Sequence, residues 1–340
     1  MALLLLPFPA LAQQESFGQV SSPTIRSTST LVIVPTLVRS ISGELVTNLG
    51  ARDFRLTDNA IEQRILAEEI EDQPIALVVL MQTGGGAPRQ FQNYRTLNTI
   101  INSMASSATH KIALVTFDSR PEEIWNFPSQ VDGLKRAFSR PETGDRGAAV
   151  LDAVNCGLNI LQQQPRNLRR IILLLSQARD DGSSTATPEE VVQHLAESNT
   201  TIYSVTFPPD KGGRSDQTSP LRHDDLFHPK HLPSGPAPIM KSLSPSESFS
   251  LALHGIRDNT ASEFAALSGG EQVELTNKLN LERTLSMMAN DLSHGYALSF
   301  RPNPTESGFH TIAVQILNQR THYIVTSRTC YWLDGATTQP

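Results

Sequence analysis

The chain is poor in cysteine and nearly balanced in charge, and each scarcity excludes a class of protein. Among 340 residues only Cys156 and Cys330 are cysteines, and neither belongs to a Cys-x-x-Cys pair. This excludes a zinc-finger framework and leaves one possible disulfide, which stays open. The formal net charge of −6 gives no electrostatic reason to expect nucleic acid or an anionic membrane as a partner.

Common catalytic and nucleotide-binding motifs are also missing. The sequence has no Gly-x-Ser-x-Gly, no His-Glu-x-x-His and no Gly-Lys-Ser/Thr. Glycines 84–86 follow an apolar run, as in a dinucleotide site, but Arg89 stands where the third glycine of Gly-x-Gly-x-x-Gly is needed. We therefore predict a non-enzymatic protein, with no catalytic residue and no cofactor.

One apolar stretch lies at the N-terminus and ends in Ala10-Leu11-Ala12. It is shorter than the roughly 20 residues that span a bilayer, and its small-x-small end is typical of a signal-peptide cleavage site. We expect residues 1–12 to be a signal-peptide remnant and the polar residues 13–29 to be a linker. The protein is then exported to the periplasm, the cell envelope or the medium, with no integral membrane segment.

The remaining chain changes its hydrophobic pattern twice. Residues 30–72 alternate and contain turn signals, which predicts an N-terminal β unit. In residues 73–293, continuous apolar runs alternate with helical spacing, which predicts an α/β domain with a doubly wound, mainly parallel sheet. Residues 294–333 are expected to form strands that join residues 30–72 in a small β-sandwich-like unit. The predicted C-terminal strands are Tyr296–Arg301, Phe309–Ile316 and Tyr323–Trp332.

A long stretch, residues 208–250, is rich in Pro, Ser, Gly, Asp and His and has no periodicity. We expect a flexible surface insert. His223, His228 and His231 could bind zinc there, helped by Asp224 or Asp225. A metal-binding or hydrolytic site in the insert therefore stays open as an alternative.

The order of strands and helices in residues 73–293 resembles a von Willebrand factor A domain. In that family, three loops at the carboxyl edge of the sheet bind a divalent cation. They supply Asp-x-Ser-x-Ser, a threonine and a further aspartate, which are the hard oxygen ligands that such a cation requires. The resemblance implies an open metal position that binds a carboxylate of a protein partner.

In this chain the five corresponding positions carry amides, glycines and an alanine, namely Gln82, Gly84, Gly86, Ala148 and Gln177. We therefore predict a degenerate metal-ion-dependent adhesion site that binds no metal. Asp180 and Asp181 follow shortly after the last position. They leave open a metal-dependent adhesin that uses non-standard ligands.

Flanking motifs narrow the resemblance to the bacterial VWFA-related proteins that are common in Acidobacteria. Cys330 stands where that family has a glycine, so the closing motif matches imperfectly. The family implies fold and export but no defined activity, so we predict a protein–protein interaction module of the adhesion type. The motifs occur in the family's order and are Asp53-Phe54, Thr57-Asp58-Asn59, Leu267-Ser-Gly-Gly270, Tyr296-Ala-Leu-Ser-Phe-Arg-Pro302 and Arg328-Thr-Cys-Tyr331.

Overall fold

The structure is a computed structural model. It describes residues 31–70, 74–95, 111–127, 132–165, 167–209, 244–275, 294–303, 306–317, 322–334 and single helical positions between 282 and 291. The predicted signal remnant and linker lie outside these ranges, as do the histidines of the insert and most of the helices predicted near residues 94–104 and 279–292. Within the described ranges, no helix is both long and apolar enough to cross a membrane.

The elements follow the sequence pattern closely. The strands are β1 (Val32–Ser40), β2 (Phe54–Asp58), β3 (Ile61–Glu62), β4 (Ile65–Glu69), β5 (Ile75–Gln82), β6 (Lys111–Phe117), β7 (Pro121–Trp125), β8 (Arg169–Gln177), β9 (Thr200–Phe207), β10 (Gln272–Glu274), β11 (Tyr296–Phe300), β12 (Gly308–Ile316), β13 (Tyr323–Ser327) and β14 (Cys330–Leu333). The helices are α1 (Asp132–Ser139), α2 (Val150–Gln162), α3 (Pro188–Glu197), α4 (Pro245–Asp258) and α5 (Thr260–Ser268), with 3₁₀ turns at Ala51–Asp53 and Ala87–Gln90.

The central sheet has six strands in the order β10-β9-β8-β5-β6-β7. All neighbours are parallel except the edge strand β7, which runs antiparallel to β6. Alternate residues of β5 enter two different cores, because Val78 packs on one face of the sheet and Val79 on the other. Burial on both faces explains the unbroken apolar runs and confirms the predicted α/β class.

Two four-stranded antiparallel sheets, β13-β1-β11-β4 and β14-β12-β2-β3, form the sandwich-like unit. Each sheet combines strands from both ends of the chain, and the inner faces share one apolar core. The prediction of a single strand over Tyr323–Trp332 is wrong. The chain leaves the first sheet after Ser327 and enters the second at Cys330, because Thr329 donates its N–H to the carbonyl of Leu267 (3.1 Å) and not to a strand.

A close contact joins this crossing to the α/β part and explains the Leu267-Ser-Gly-Gly270 motif. A Cβ on Gly269 would lie 2.3 Å from the backbone nitrogen of Arg328, and one on Gly270 would lie 2.0 Å from the carbonyl oxygen of Ile202. A side chain at position 269 would push the crossing at Arg328 away from α5, and one at position 270 would push α5 away from β9. Cys330 beside them is buried, and both it and Cys156 are free thiols in the structure.

Helix α4 corrects the prediction for the insert, because it begins at Pro245, inside the range 208–250. Ser244 and Glu247 form a capping box at its start, with Pro245 in the first turn. Serine, proline and glutamate in this arrangement form a helix start, although the same composition is also typical of a loop.

Helices α4 and α5 enclose one carboxyl group, that of Glu263. A Cβ on Gly255 would lie 2.4 Å from the Glu263 Cδ atom, so Gly255 permits this approach. Burial, with a smaller contribution from Asp258, raises the pKa of Glu263 to about 7. The folded protein therefore holds this proton more tightly than the unfolded chain does.

Because the pKa is raised on folding, the free energy of unfolding falls as the pH rises from about 4.5 to about 7. We expect Glu263→Gln to stabilise the protein by about 2 kcal/mol at pH 8 and to leave it nearly unchanged at pH 4. Urea unfolding at both pH values measures this. The control is Glu44→Gln, at an exposed residue. A Glu263→Gln effect of equal size at both pH values would contradict a raised pKa of Glu263.

Candidate functional site

All five positions that the resemblance identifies lie at the carboxyl edge of the central sheet. Gln82 and Gln177 are the last residues of β5 and β8. Gly84 and Gly86 lie in the loop after β5, and Ala148 lies just before α2. All five are buried. The five residues therefore lie together where the parallel strands end, which is the edge at which open α/β sheets bind ligands.

The two glutamines are engaged with the backbone. The Oε1 atom of Gln82 accepts the N–H of Gln177 (2.8 Å), and its Nε2 atom donates to the carbonyl of Gly84 (3.1 Å). The Nε2 atom of Gln177 donates to the carbonyl of Arg179 (3.0 Å). Gly85 has a φ of +54°, and a Cβ there would lie 3.2 Å from the Gln82 Nε2 atom and 3.5 Å from the Gln177 Oε1 atom. Both amides therefore have protein hydrogen-bond partners at the ends of β5 and β8.

Glycines pack three loops directly against one another, namely the loop after β5, the loop before α2 and the loop after β6. A Cβ on Gly84 would lie 2.4 Å from the carbonyl oxygen of Gly147 and 2.7 Å from that of Asp145. The N–H of Gly85 donates to the same Asp145 carbonyl (3.0 Å). A Cβ on Gly147 would in turn lie 2.5 Å from the Cα atom of Ser119. A serine at position 84 therefore has no room unless these backbones move apart.

The acidic residues after β8 cap helix α2. That helix begins at Val150, and its N-cap residue, Ala149, provides no side-chain cap. Instead, Asp181 accepts the N–H of Ala148 (3.0 Å), and Asp180 accepts the N–H of Leu151 (3.0 Å). Carboxylates at a helix N-terminus satisfy free N–H groups and interact well with the helix dipole. Both acids therefore already have a structural role.

A second acidic pair at this edge was missed in the sequence. Asp118 follows β6 directly and accepts the N–H of Asp145 (2.9 Å). Asp145 accepts the hydroxyl of Ser119 and the N–H of Gly147 (2.7 Å), and these hydrogen bonds, Ser119 first, lower its pKa. The sequence did contain a signal for Asp118, because an acidic residue directly after a buried strand lies at the sheet edge.

A cleft of about 610 Å³ opens beside these loops, between β7 and the end of α1. Its volume is in the range of ligand-binding pockets. Trp125, Ala137 and Pro141 contribute apolar surface. The polar and charged lining residues are Thr83, Thr116, Asp118, Glu122, Arg136, Arg140, Glu142, Thr143 and Asp145, with Gly144 between the last two.

The five positions that the resemblance identifies are a poor match to a divalent cation. Magnesium and manganese require several oxygen ligands, preferably carboxylates or hydroxyls, whereas the five family positions supply two engaged amides and no hydroxyl. No group of three or more His, Cys, Asp or Glu side chains within the described ranges is arranged to hold a metal ion. The histidines proposed for zinc lie outside those ranges.

Comparison with known proteins gives a match to one family over part of the chain. Residues 77–223 match the von Willebrand factor type A domain family. The chain is similar to the von Willebrand factor type A structure from Catenulispora acidiphila (11% identity, TM-score 0.42), covering 91% of this chain and 75% of that one. It is also similar to the conserved hypothetical protein BatB from Bacteroides thetaiotaomicron (11% identity, TM-score 0.40), covering 64% and 98%. No curated protein matches by sequence. The chain therefore contains a von Willebrand factor type A domain at residues 77–223.

Proposed function

We propose that the chain is an exported, non-enzymatic interaction module of the adhesion type that binds a protein partner at the carboxyl edge of its sheet without a cation. The packing of Gly84 against the carbonyls of Asp145 and Gly147 carries this proposal, because it fills the space that a serine ligand needs. The use of Asp180 and Asp181 as helix caps supports it, since a metal would have to take these acids from α2.

Two further observations support the proposal. The von Willebrand factor type A domain favours protein binding over catalysis, and the open cleft beside the edge offers a concave surface for a partner. Export is inferred from residues 1–12, whose apolar run and Ala10-Leu11-Ala12 ending are typical of a secretory signal.

Metal titration tests the cation-free proposal. We expect Mg²⁺ and Mn²⁺ to give no saturable heat at micromolar concentrations in isothermal titration calorimetry of the full chain. A micromolar Mn²⁺ site that is lost in Asp180→Asn or Asp181→Asn would contradict the proposal and favour the adhesin with non-standard ligands. Zinc binding that disappears on deletion of residues 210–243, which leaves α4 intact, would favour the site in the insert.

Site-specific crosslinking tests the binding surface. A photo-crosslinking residue at Thr143, in the cleft, should capture a partner from a cell-envelope extract equally well with and without EDTA. The same residue at Leu66, which is 66% exposed on the sandwich-like unit, is the matched control. Capture that requires added Mg²⁺, or that is as strong from Leu66 as from Thr143, would overturn the proposal.

A further inference from the structure

Two flanking motifs of the sandwich-like unit meet at one buried histidine, His310 of β12. Asp58 ends β2, Tyr331 lies in β14, and both side chains are buried beside the imidazole ring. The Nδ1 atom of His310 lies 2.8 Å from the Oδ1 atom of Asp58. Tyr331 donates its hydroxyl to the other oxygen of that carboxylate (2.7 Å). The ring therefore joins three neighbouring strands of the sheet β14-β12-β2-β3.

Both ring nitrogens of His310 face an acceptor. The Nε2 atom lies 2.7 Å from the carbonyl oxygen of Glu306, which cannot donate, so this nitrogen carries a hydrogen. The Nδ1 atom faces the carboxylate of Asp58, so it carries a hydrogen as well. Only the positively charged imidazolium has a hydrogen on both nitrogens. The geometry therefore fits a buried ion pair between His310 and Asp58.

The groups around the ring come from several elements. The titratable ones are Asp58 of β2, Tyr331 of β14 and Glu306 of the connection before β12. Asn59, in the turn after β2, is neutral and places its amide nitrogen 3.2 Å from the Nδ1 atom. The facing sheet contributes the apolar Phe300, whose ring packs against that of Tyr331 (5.9 Å between centroids). The carboxylate of Asp58 is therefore the charge in direct contact with the ring.

Hydrogen bonding sets the charge of the ring. Burial lowers the pKa of His310, but the hydrogen bonds to Asp58 and to the Glu306 carbonyl outweigh burial, so the pKa is raised overall. Burial and the bond to Asp58 also raise the pKa of Tyr331 well above its usual range, against a smaller effect of Arg328. The Tyr331 hydroxyl therefore keeps its proton while His310 titrates.

We propose that His310 is a pH-sensitive switch, which fastens Glu306 and Ser307 to the sandwich-like unit when charged and releases them when its Nε2 proton is lost. The Nδ1 hydrogen stays, because a hydrogen bond to a carboxylate such as Asp58 is about twice as strong as one to a neutral carbonyl. An Nε2 lone pair would then face the carbonyl oxygen of Glu306 at 2.7 Å, and two acceptors repel each other.

The release is local, and its direction with pH follows from the raised pKa. Asn303, on the same connection, is held by two hydrogen bonds with Gln63 (3.0 and 3.2 Å), and amides do not titrate. Glu306 and Ser307 are exposed, so water can replace the ring as a partner. Because folding raises the pKa of His310, the contact is complete below about pH 6.5 and is lost as the pH rises through the raised pKa. These groups lie away from the carboxyl edge of the central sheet, so the inference is independent of the proposed function.

Nitrogen NMR of the full chain, labelled with ¹⁵N-histidine, tests the proton positions. The His310 signals are identified by nuclear Overhauser contacts with the Tyr331 ring, whose centroid lies 4.7 Å away. We expect the Nε2 atom alone to lose its proton, with a midpoint above about pH 6.5. Asp58→Asn should lower that midpoint, and His254→Gln, at an exposed histidine of α4, should not change it. A midpoint at or below 6.5 in the parent chain, or loss of the Nδ1 proton instead, would overturn the inference.

Cleavage by a glutamate-specific protease measures the release. The rate of cleavage after Glu306 is divided by the rate after the exposed Glu44, which cancels the pH dependence of the protease. Because Glu263 also titrates near neutral pH, the parent chain here carries Glu263→Gln. We expect the ratio to rise about tenfold from pH 6 to pH 9, as for loss of one charge-assisted hydrogen bond, and His310→Gln to make it independent of pH. A constant ratio in the parent chain, or an equal rise in His310→Gln, would contradict the switch.

Discussion

Arg328→Ala is expected to lower the free energy of unfolding by about 3 kcal/mol, because three hydrogen bonds of a buried cation are lost at once. Arg328 is 7% exposed. Its guanidinium donates to the carbonyl of Ala196 at the end of α3 (3.0 Å), to the carbonyl of Cys330 (2.8 Å) and to Asn199 (3.4 Å). The variant leaves the Ala196 carbonyl without this donor where the sandwich-like unit meets the α/β part.

The expected loss is smaller than the sum of three such bonds because burial opposes the charge. Burial lowers the pKa of Arg328, which shows that its guanidinium is held away from water at a cost. Urea unfolding at pH 7 measures the difference. Arg301→Ala, at an exposed arginine of the neighbouring motif, should change stability by less than about 0.5 kcal/mol.

A second variant separates the loss of the Arg328 hydrogen bonds from the loss of packing around its side chain. Arg328→Met retains most of the apolar stem, so a loss similar to that of Arg328→Ala would assign the effect to the hydrogen bonds. Near-complete recovery in Arg328→Met would instead assign it to packing. If both variants unfold like the parent chain, Arg328 does not hold the two parts together.

Arg328 also shows where sequence reasoning stops. The apolar runs of β5, β6, β8 and β9 predicted the central sheet because burial on both faces leaves a direct trace in composition. The crossing at Arg328 leaves no such trace. Residues 323–332 keep a strand-like composition, and the break comes from a bond between Thr329 and Leu267, more than sixty residues away along the chain.

The candidate site was predictable in place but not in detail. The family positions were located from strand ends, and all five lie at the same edge. The capping of α2 by Asp180 and Asp181 could not be predicted, because the N–H groups that these acids accept lie about thirty residues earlier. Asp118 and Asp145 were missed for a similar reason, since the bond from the N–H of Asp145 to Asp118 and the bond from the Ser119 hydroxyl to Asp145 each join residues about 26 positions apart.

Gly84→Ser is expected to destabilise the protein by about 3 kcal/mol, at the upper end of the range for overpacking. The new Cβ would lie within 2.7 Å of two backbone carbonyl oxygens, those of Asp145 and Gly147, and backbone cannot rotate away as a side chain can. The loop is also fixed from its own side, because the carbonyl of Gly84 accepts hydrogen bonds from Gln82 (3.1 Å) and Ala87 (3.0 Å).

Gly50→Ser is the matched control for that prediction. Gly50 has a φ of −102°, and a Cβ there would meet only Asp53, at 3.8 Å. It also precedes a 3₁₀ turn, where serine is a favourable cap, so stability should hold or rise slightly. Urea unfolding of both variants therefore isolates the space around Gly84 from any general effect of serine.

Gly84→Ser also decides whether the sheet edge is closed to a cation or can still open to form a metal site. If the loop after β5 has no room for a side chain, serine at position 84 destabilises the protein and creates no metal affinity. This should hold even when Gln82→Asp and Gln177→Asp add two carboxylates. Mn²⁺ titration of this triple variant should then give no saturable heat. A stable Gly84→Ser protein, or a triple variant that binds Mn²⁺ at micromolar concentration, would show that the loops can open. In that case, cation-free binding would lose the packing observation on which it rests.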